Sequence, residues 1–174
     1  VALARAVNVG GRKLAMADLR DLALANGLAD AVTLLQSGNL VFASAERSES
    51  ELEALLEREV LVRHELATDF MVRSAARWRA LVSGNPFTGE ARDDPSRLVA
   101  VTLKRPAVPE GEAALRAALP GRERVVVAGD VAYLVYPDGQ GDSKVTAKLI
   151  ERKLGAPGTA RNWNTVLKIA ASLG

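Results

Sequence analysis

The sequence predicts an α+β fold of two pseudo-repeated ferredoxin-like (βαββαβ-type) halves. Each is an antiparallel sheet with helices packed on one face, and a C-terminal helix follows. Three observations predict this. Short β-rich runs and amphipathic stretches alternate as β-α-β-β-α-β through the first half. The same order, less its last strand, recurs in the second half. Each half also joins two β-rich runs through turn residues, Ser37-Gly38-Asn39 and Gly129-Asp130. The halves are expected at residues 1–88 and 97–174.

Val1–Val7 is apolar and strand-like and runs into the breaker Asn8-Val9-Gly10-Gly11. Met16–Asn26 spaces Met16, Leu19 and Leu22 as a helix, with Gly27 placed to end it. Ala31–Gln36 and Leu40–Ala43 form the hairpin. Ser48 with Glu51 is a capping box, and Leu52, Leu55, Leu56 and Val60 make the apolar stripe of the helix it opens. The outer face of that helix is acidic. Thr68–Arg73 returns as a strand, and Ser74–Ser83 is a further helix with Trp78, Leu81 and Val82 on one side. Thr88–Ser96 is polar, with Gly89 and Pro95, and reads as the boundary between halves.

Leu98–Lys104 is the first strand of the second half, Pro109–Leu119 a short helix, and Arg124–Ala128 with Val131–Tyr136 a second hairpin. Ser143–Leu154 is a helix stopped by Gly155. Gly158–Thr165 then stands in place of a final strand, ahead of a terminal helix ending at Leu173.

Composition narrows the function classes. A chain of 174 residues buries roughly 70% of its unfolded surface and needs no disulfide or metal staple. There is no cysteine, which excludes disulfides, thiol nucleophiles and thiolate metal sites. The single histidine, His64, sits beside Glu65 at a helix end and supports no Ser-His-Asp arrangement. No run approaches the ~18 apolar residues of a membrane span, and the opening residues lack a signal-type apolar run. A cytoplasmic protein without a membrane partner is therefore expected. Net charge is only +2, but from Ser143 onward six basic residues face one acid, Glu151.

Several polar segments carry a resemblance. They are Arg5-Ala6-Val7-Asn8-Val9-Gly10-Gly11 with Met16-Ala17-Asp18-Leu19-Arg20, Gln36-Ser37-Gly38-Asn39-Leu40-Val41-Phe42, Asn85-Pro86-Phe87, Ser143-Lys144, and Thr159-Ala160-Arg161-Asn162-Trp163-Asn164-Thr165. In this order they resemble the domain-of-unknown-function family numbered 1697. Ala6 departs from that family's pattern, which has glycine there, and Ala4 stands where leucine is usual. The resemblance implies a bacterial-type α+β protein with two ferredoxin-like halves. It implies no activity.

The candidate site residues fall on these segments. Gly139-Gln140-Gly141-Asp142-Ser143-Lys144 links a strand to a helix. Its glycines can aim N–H groups outward, and an anion there would offset the cost of a lysine in the first helical turn. Lys148 and Arg152 continue from Lys144 at i+4 and i+8. The bland alternative is a turn capped by Asp142 or Ser143 and a solvated basic face. Asn8, Gly10 and Gly11 form a similar strand-to-helix loop. Arg161, Asn162, Asn164 and Thr165 are unusually polar for the start of an amphipathic helix. They read either as a binding set or as helix capping plus a buried Arg–Asn network. Gln36, Ser37 and Asn39 belong to a turn, and Gln36 has no turn role. Arg5 completes the set.

The expected function is binding of a small phosphate-bearing ligand in a cleft lined by the glycine-rich loops and the Arg161–Thr165 segment, with no cofactor and no metal. Nucleic acid is the alternative partner, through the basic C-terminal region. Tyr133 and Tyr136 lie on opposite faces of their strand, a poor platform for stacking bases. An enzyme is the third reading. Asp18, Asp69, Asp138 and Asp142 lack diagnostic spacing, and neighbouring Ser143 and Lys144 would point apart on a helix. An assembly role through exposed sheet edges is the fourth. The sequence does not fix the oligomeric state.

Overall fold

A computed structural model describes residues 1–8 and 13–174. The elements run β1 (Ala2–Ala4), α1 (Met16–Ala25), β2 (Ala29–Leu34), β3 (Asn39–Ala43), α2 (Glu49–His64), β4 (Phe70–Val72), α3 (Ala75–Ser83) and α4 (Thr88–Asp93). They continue through β5 (Leu98–Leu103), α5 (Gly111–Arg116), β6 (Arg124–Ala128), β7 (Val131–Val135), α6 (Ala147–Leu154), β8 (Gly158–Asn162) and α7 (Trp163–Ala171). The strands form two four-stranded antiparallel sheets, ordered β2-β3-β1-β4 and β6-β7-β5-β8. Each is the order of a split βαβ unit. The chain is α+β, as its sequence predicts. It divides into one unit of Val1–Arg79 with Ile169–Gly174 and a second of Ala80–Lys168.

In the first unit, Ala2, Ala4, Phe70 and Val72 turn one sheet face to α1 and α2, where Leu19, Leu22, Leu52, Leu56 and Val60 pack on them. Period-two strands against period-3.6 helices produce this core. Ser48 caps α2 and Glu51 returns the bond to its N–H, the expected capping box. The first strand is shorter than the run Val1–Val7. It stops at Ala4, and Ala6 lies at φ 52° and Asn8 at φ 56°. The glycine that the family's pattern places at Ala6 would meet that backbone without a Cβ penalty. Gly38 is confined in the same way. Its φ is 74°, and a Cβ there would lie 2.6 Å from the Val7 side chain and 2.7 Å from that of Ala4.

The face of α2 that sequence reads as outward and acidic is not a solvated face. Glu49, Glu53 and Glu57, four residues apart, accept the backbone N–H groups of Ser74, Val72 and Phe70 at 2.7, 2.9 and 2.8 Å. Alternate N–H groups of an edge strand point away from its sheet. Three carboxylates on one helix face close that edge. Glu53 is 8% exposed and stands 3.6 Å from the guanidinium of buried Arg73.

In the second unit, Val99, Val101, Leu103, Val125, Ala132, Leu134 and Tyr136 face Leu115, Ile150 and Leu154 of the helices. The polar stretch Thr88–Ser96, read from sequence as the boundary between halves, carries secondary structure of its own. It folds as α4 and a 3-10 turn over Pro95–Arg97, with Arg124 pairing to Glu90 and lying 5.1 Å over the Phe87 ring. The helix expected from Ser143 begins at Ala147, because Thr146 is its cap and accepts the Leu149 N–H at 3.2 Å. The missing last strand exists: Gly158–Asn162 is β8, paired antiparallel with β5. Arg161 and Asn162 are therefore strand residues and not the start of a helix. The second unit has the complete order of the first.

Candidate functional site

Asn8 is a structural clasp. Its side chain donates to the carbonyls of Leu14 (3.0 Å) and Gln36 (2.9 Å) and accepts the Leu14 N–H (2.9 Å). Asn39 is fully buried and donates to the Leu34 carbonyl and to Ser37 Oγ. The first unit thus brings Asn8, Gln36, Ser37 and Asn39 together at the β2–β3 turn. Gln36 and Ser37 are exposed there. Arg5 points elsewhere, to Asp69 at 3.3 Å. Gly10 and Gly11 lie outside the described residues.

In the second unit the glycine-rich loop closes one side of a cavity of about 240 Å³, lined among others by Glu123, Tyr136, Asp138, Asp142, Ser143 and Lys144. Ser143 does not cap a helix. Its hydroxyl donates to Glu123 and accepts the Val145 N–H at 3.1 Å. That bond holds the Glu123 carboxyl below its ordinary range. Arg122 grips Asp138 with two bonds, which lower the Asp138 carboxyl in the same way. Lys144 is exposed and, among the described residues, makes no ion pair. Lys148 and Arg152 are also exposed on α6 and also lack one.

The Arg161–Thr165 segment does not line this cavity. Sheet order puts β6 and β8 at opposite edges, three strand spacings or roughly 14 Å apart. Register still places both at one end of the sheet: Arg124 opens β6 opposite Val135, while Asn162 closes β8 opposite Val99. Asn162 accepts the Asn164 N–H at 3.0 Å and donates to the Ser96 carbonyl at 2.8 Å, the helix-capping role. Arg161 is buried and donates to Thr159 Oγ1 and the Ala160 carbonyl. Burial lowers its guanidinium to about 10. Asn164 is exposed and Thr165 half-buried. Trp163 is core, 6.4 Å from the Tyr133 ring.

Sequence reasoning missed Glu123, which meets Ser143 from 20 positions upstream, Tyr136, which lines the same cavity, and Arg122, which reaches it through Asp138. No local motif marks them. Among the described residues no cluster of three or more His, Asp or Glu could hold a metal ion. No helix among them is long and apolar enough to cross a membrane.

Fold and site together define an α+β protein of two ferredoxin-like units whose polar motifs serve turns, caps and one glycine-rich cavity. The chain belongs to the family described as "Protein of unknown function (DUF1697)", which matches residues 1–133. Among solved structures it is similar to the conserved bacterial protein SP0830 from Streptococcus pneumoniae, at 23% identity and a TM-score of 0.77. That likeness covers 99% of this chain and 97% of the other, and it shows the fold. No curated protein matches.

Proposed function

We propose that the second unit binds a small phosphate-bearing ligand at the lip of the glycine-rich cavity. One observation carries this reading. Lys144, Lys148 and Arg152 are exposed without ion pairs among the described residues, and of the carboxylates that line the cavity with Lys144, Asp138 is held by Arg122 and Glu123 takes the Ser143 hydroxyl through one oxygen. Lys148 and Arg152, one helical turn apart, repeat at about 6 Å, a spacing that a phosphate group can bridge. Asp142, which also lines the cavity, sets the limit on how deep the anion enters.

Titration of the full chain with ADP, followed by calorimetry, tests it. Saturable binding that weakens about tenfold in Lys144→Ala is expected, the loss of one charge-assisted contact. Equal affinity of wild type and Lys144→Ala, or no binding, overturns it. A second reading, nucleic acid along Lys148 and Arg152 of α6, is favoured by their exposure outside the cavity. Tyr133 and Tyr136 are buried and offer it no stacking surface. A short single-stranded RNA whose affinity falls steeply with salt would support that second reading over the first.

A further inference from the structure

The two units close their last strands differently. In the first, Glu57, Glu53 and Glu49 take the outward N–H groups of Phe70, Val72 and Ser74. In the second, Glu151 on α6 takes the outward N–H of Gly158 at 3.3 Å. The next rung would join the residue four before Glu151 to the residue two after Gly158. Those are Ala147 and Ala160. A methyl group accepts no hydrogen bond.

The register shows where the Ala160 N–H points. Lys104 N–H bonds the Pro157 carbonyl, and Thr102 pairs with Thr159. Bonds to β5 therefore fall at Thr159 and Arg161, and the Ala160 N–H turns outward. Among the described residues no acceptor meets it. In its place lies a second cavity of about 50 Å³ between α6 and β8, lined among others by Ala147, Ala160, Glu151, Gln140, Tyr136 and Ile150. Tyr136 is only 2% exposed as a residue and lines both this cavity and the glycine-rich one. Burial pushes its hydroxyl up to about 12, so it stays protonated as a donor.

We propose that this cavity recognises the planar carboxamide head of a small ligand. The amide carbonyl takes the position that the Glu53 carboxylate oxygen holds in the first unit and accepts the Ala160 N–H. The Tyr136 hydroxyl donates to the same oxygen, and the amide NH2 donates to Glu151. A neutral head fits better than a carboxylate because Glu151 carries negative charge at the wall. The volume suits one such group. A water, whose share of the liquid is about 30 Å³, is the competing occupant. The inference does not rest on the phosphate reading, since none of Lys144, Lys148 and Arg152 takes part.

Acetamide is the probe. Amide NMR spectra of the 15N-labelled full chain follow its titration, with acetate as the parallel arm. Acetamide shifts the Ala160 amide saturably, with a dissociation constant on the order of millimolar, below the ceiling for so small a ligand. Tyr136→Phe keeps the ring and weakens binding about five- to tenfold. Ala147→Glu supplies the absent rung, abolishes the acetamide shift and slows exchange of the Ala160 N–H. An unchanged Ala160 signal in saturating acetamide overturns the proposal and leaves a water site only. An acetate response equal to that of acetamide overturns the neutral-head assignment. Wild-type affinity in Tyr136→Phe overturns the role of the hydroxyl, whether or not Ala147→Glu folds.

Discussion

Replacing Glu53 by alanine removes the middle rung that closes the β4 edge. Two groups lose a partner. The Val72 N–H, bonded at 2.9 Å, faces a buried position, and the Arg73 guanidinium loses a carboxylate at 3.6 Å. Removing one member of a buried pair costs on the order of 3–5 kcal/mol, because the other charge stays behind. The 3.6 Å contact is loose, and Arg73 keeps its bond to the Val72 carbonyl at 2.6 Å. The lower end, about 3 kcal/mol, is therefore expected. At ~2–4 °C per kcal/mol for a chain of this size, the melting temperature falls by about 6–12 °C. Trp78 lies in the first unit and Trp163 in the second. In a Trp163→Phe background, urea unfolding followed by tryptophan fluorescence therefore reports from Trp78, which belongs to the first unit. Glu53→Gln keeps an acceptor for the N–H and should lose about half as much, roughly 1–2 kcal/mol. A Glu53→Ala loss within about 0.5 kcal/mol of zero would refute the closed-edge reasoning. So would equal losses in the Gln and Ala variants, since the acceptor would then contribute nothing.

Three further outcomes follow from the backbone. Ala6→Gly relieves a left-handed alanine and should stabilise the first unit by about 0.5–1 kcal/mol, read as a rise in the denaturation midpoint with unchanged slope. Gly38→Ala adds a Cβ at 2.6–2.7 Å from Val7 and Ala4 in a left-handed backbone, and should cost more than about 2 kcal/mol in the same assay. Asn162→Ala removes the α7 cap and the bond to Ser96, and should cost about 1–2 kcal/mol, seen by Trp163 fluorescence in a Trp78→Phe background.

Local signals were legible where the chemistry itself is local. Ser48 and Glu51 are three residues apart and satisfy each other, so the start of α2 could be read from the sequence. The start of α6 could not. Ser143 and Thr146 are both capping residues, and Ser143 is drawn away by Glu123, 20 residues upstream. Strand β8 carries Gly158, Thr159, Ala160, Arg161 and Asn162 and shows no apolar alternation. Pairing with β5 makes it a strand, and that partner lies some 60 residues earlier. The same distinction governs the site. Asn8, Asn39 and Asn162 read in the sequence as candidate ligand contacts. Their hydrogen bonds go to the Leu14 backbone, the β2–β3 turn and the start of α7. The acidic face of α2 was visible as a pattern, but periodicity cannot tell a carboxylate facing water from one facing a strand edge.

The glutamate series on α2 also behaves as a vernier. Residues four apart on a helix advance about 6 Å, and residues two apart on a strand advance about 6.6 Å. The two scales slip by roughly 0.6 Å at each rung. With Glu53 in step, Glu49 and Glu57 are out by that amount in opposite directions, and a carboxylate swings far enough to absorb it. A rung beyond either of them would miss by more than 1 Å. The arrangement is thus self-limiting: a straight helix laid along a strand can mate with about three outward amides. Strand β4 and the residue that begins the next turn present that number, Phe70, Val72 and Ser74, so the helix gauges the length of edge that the first unit can keep shut.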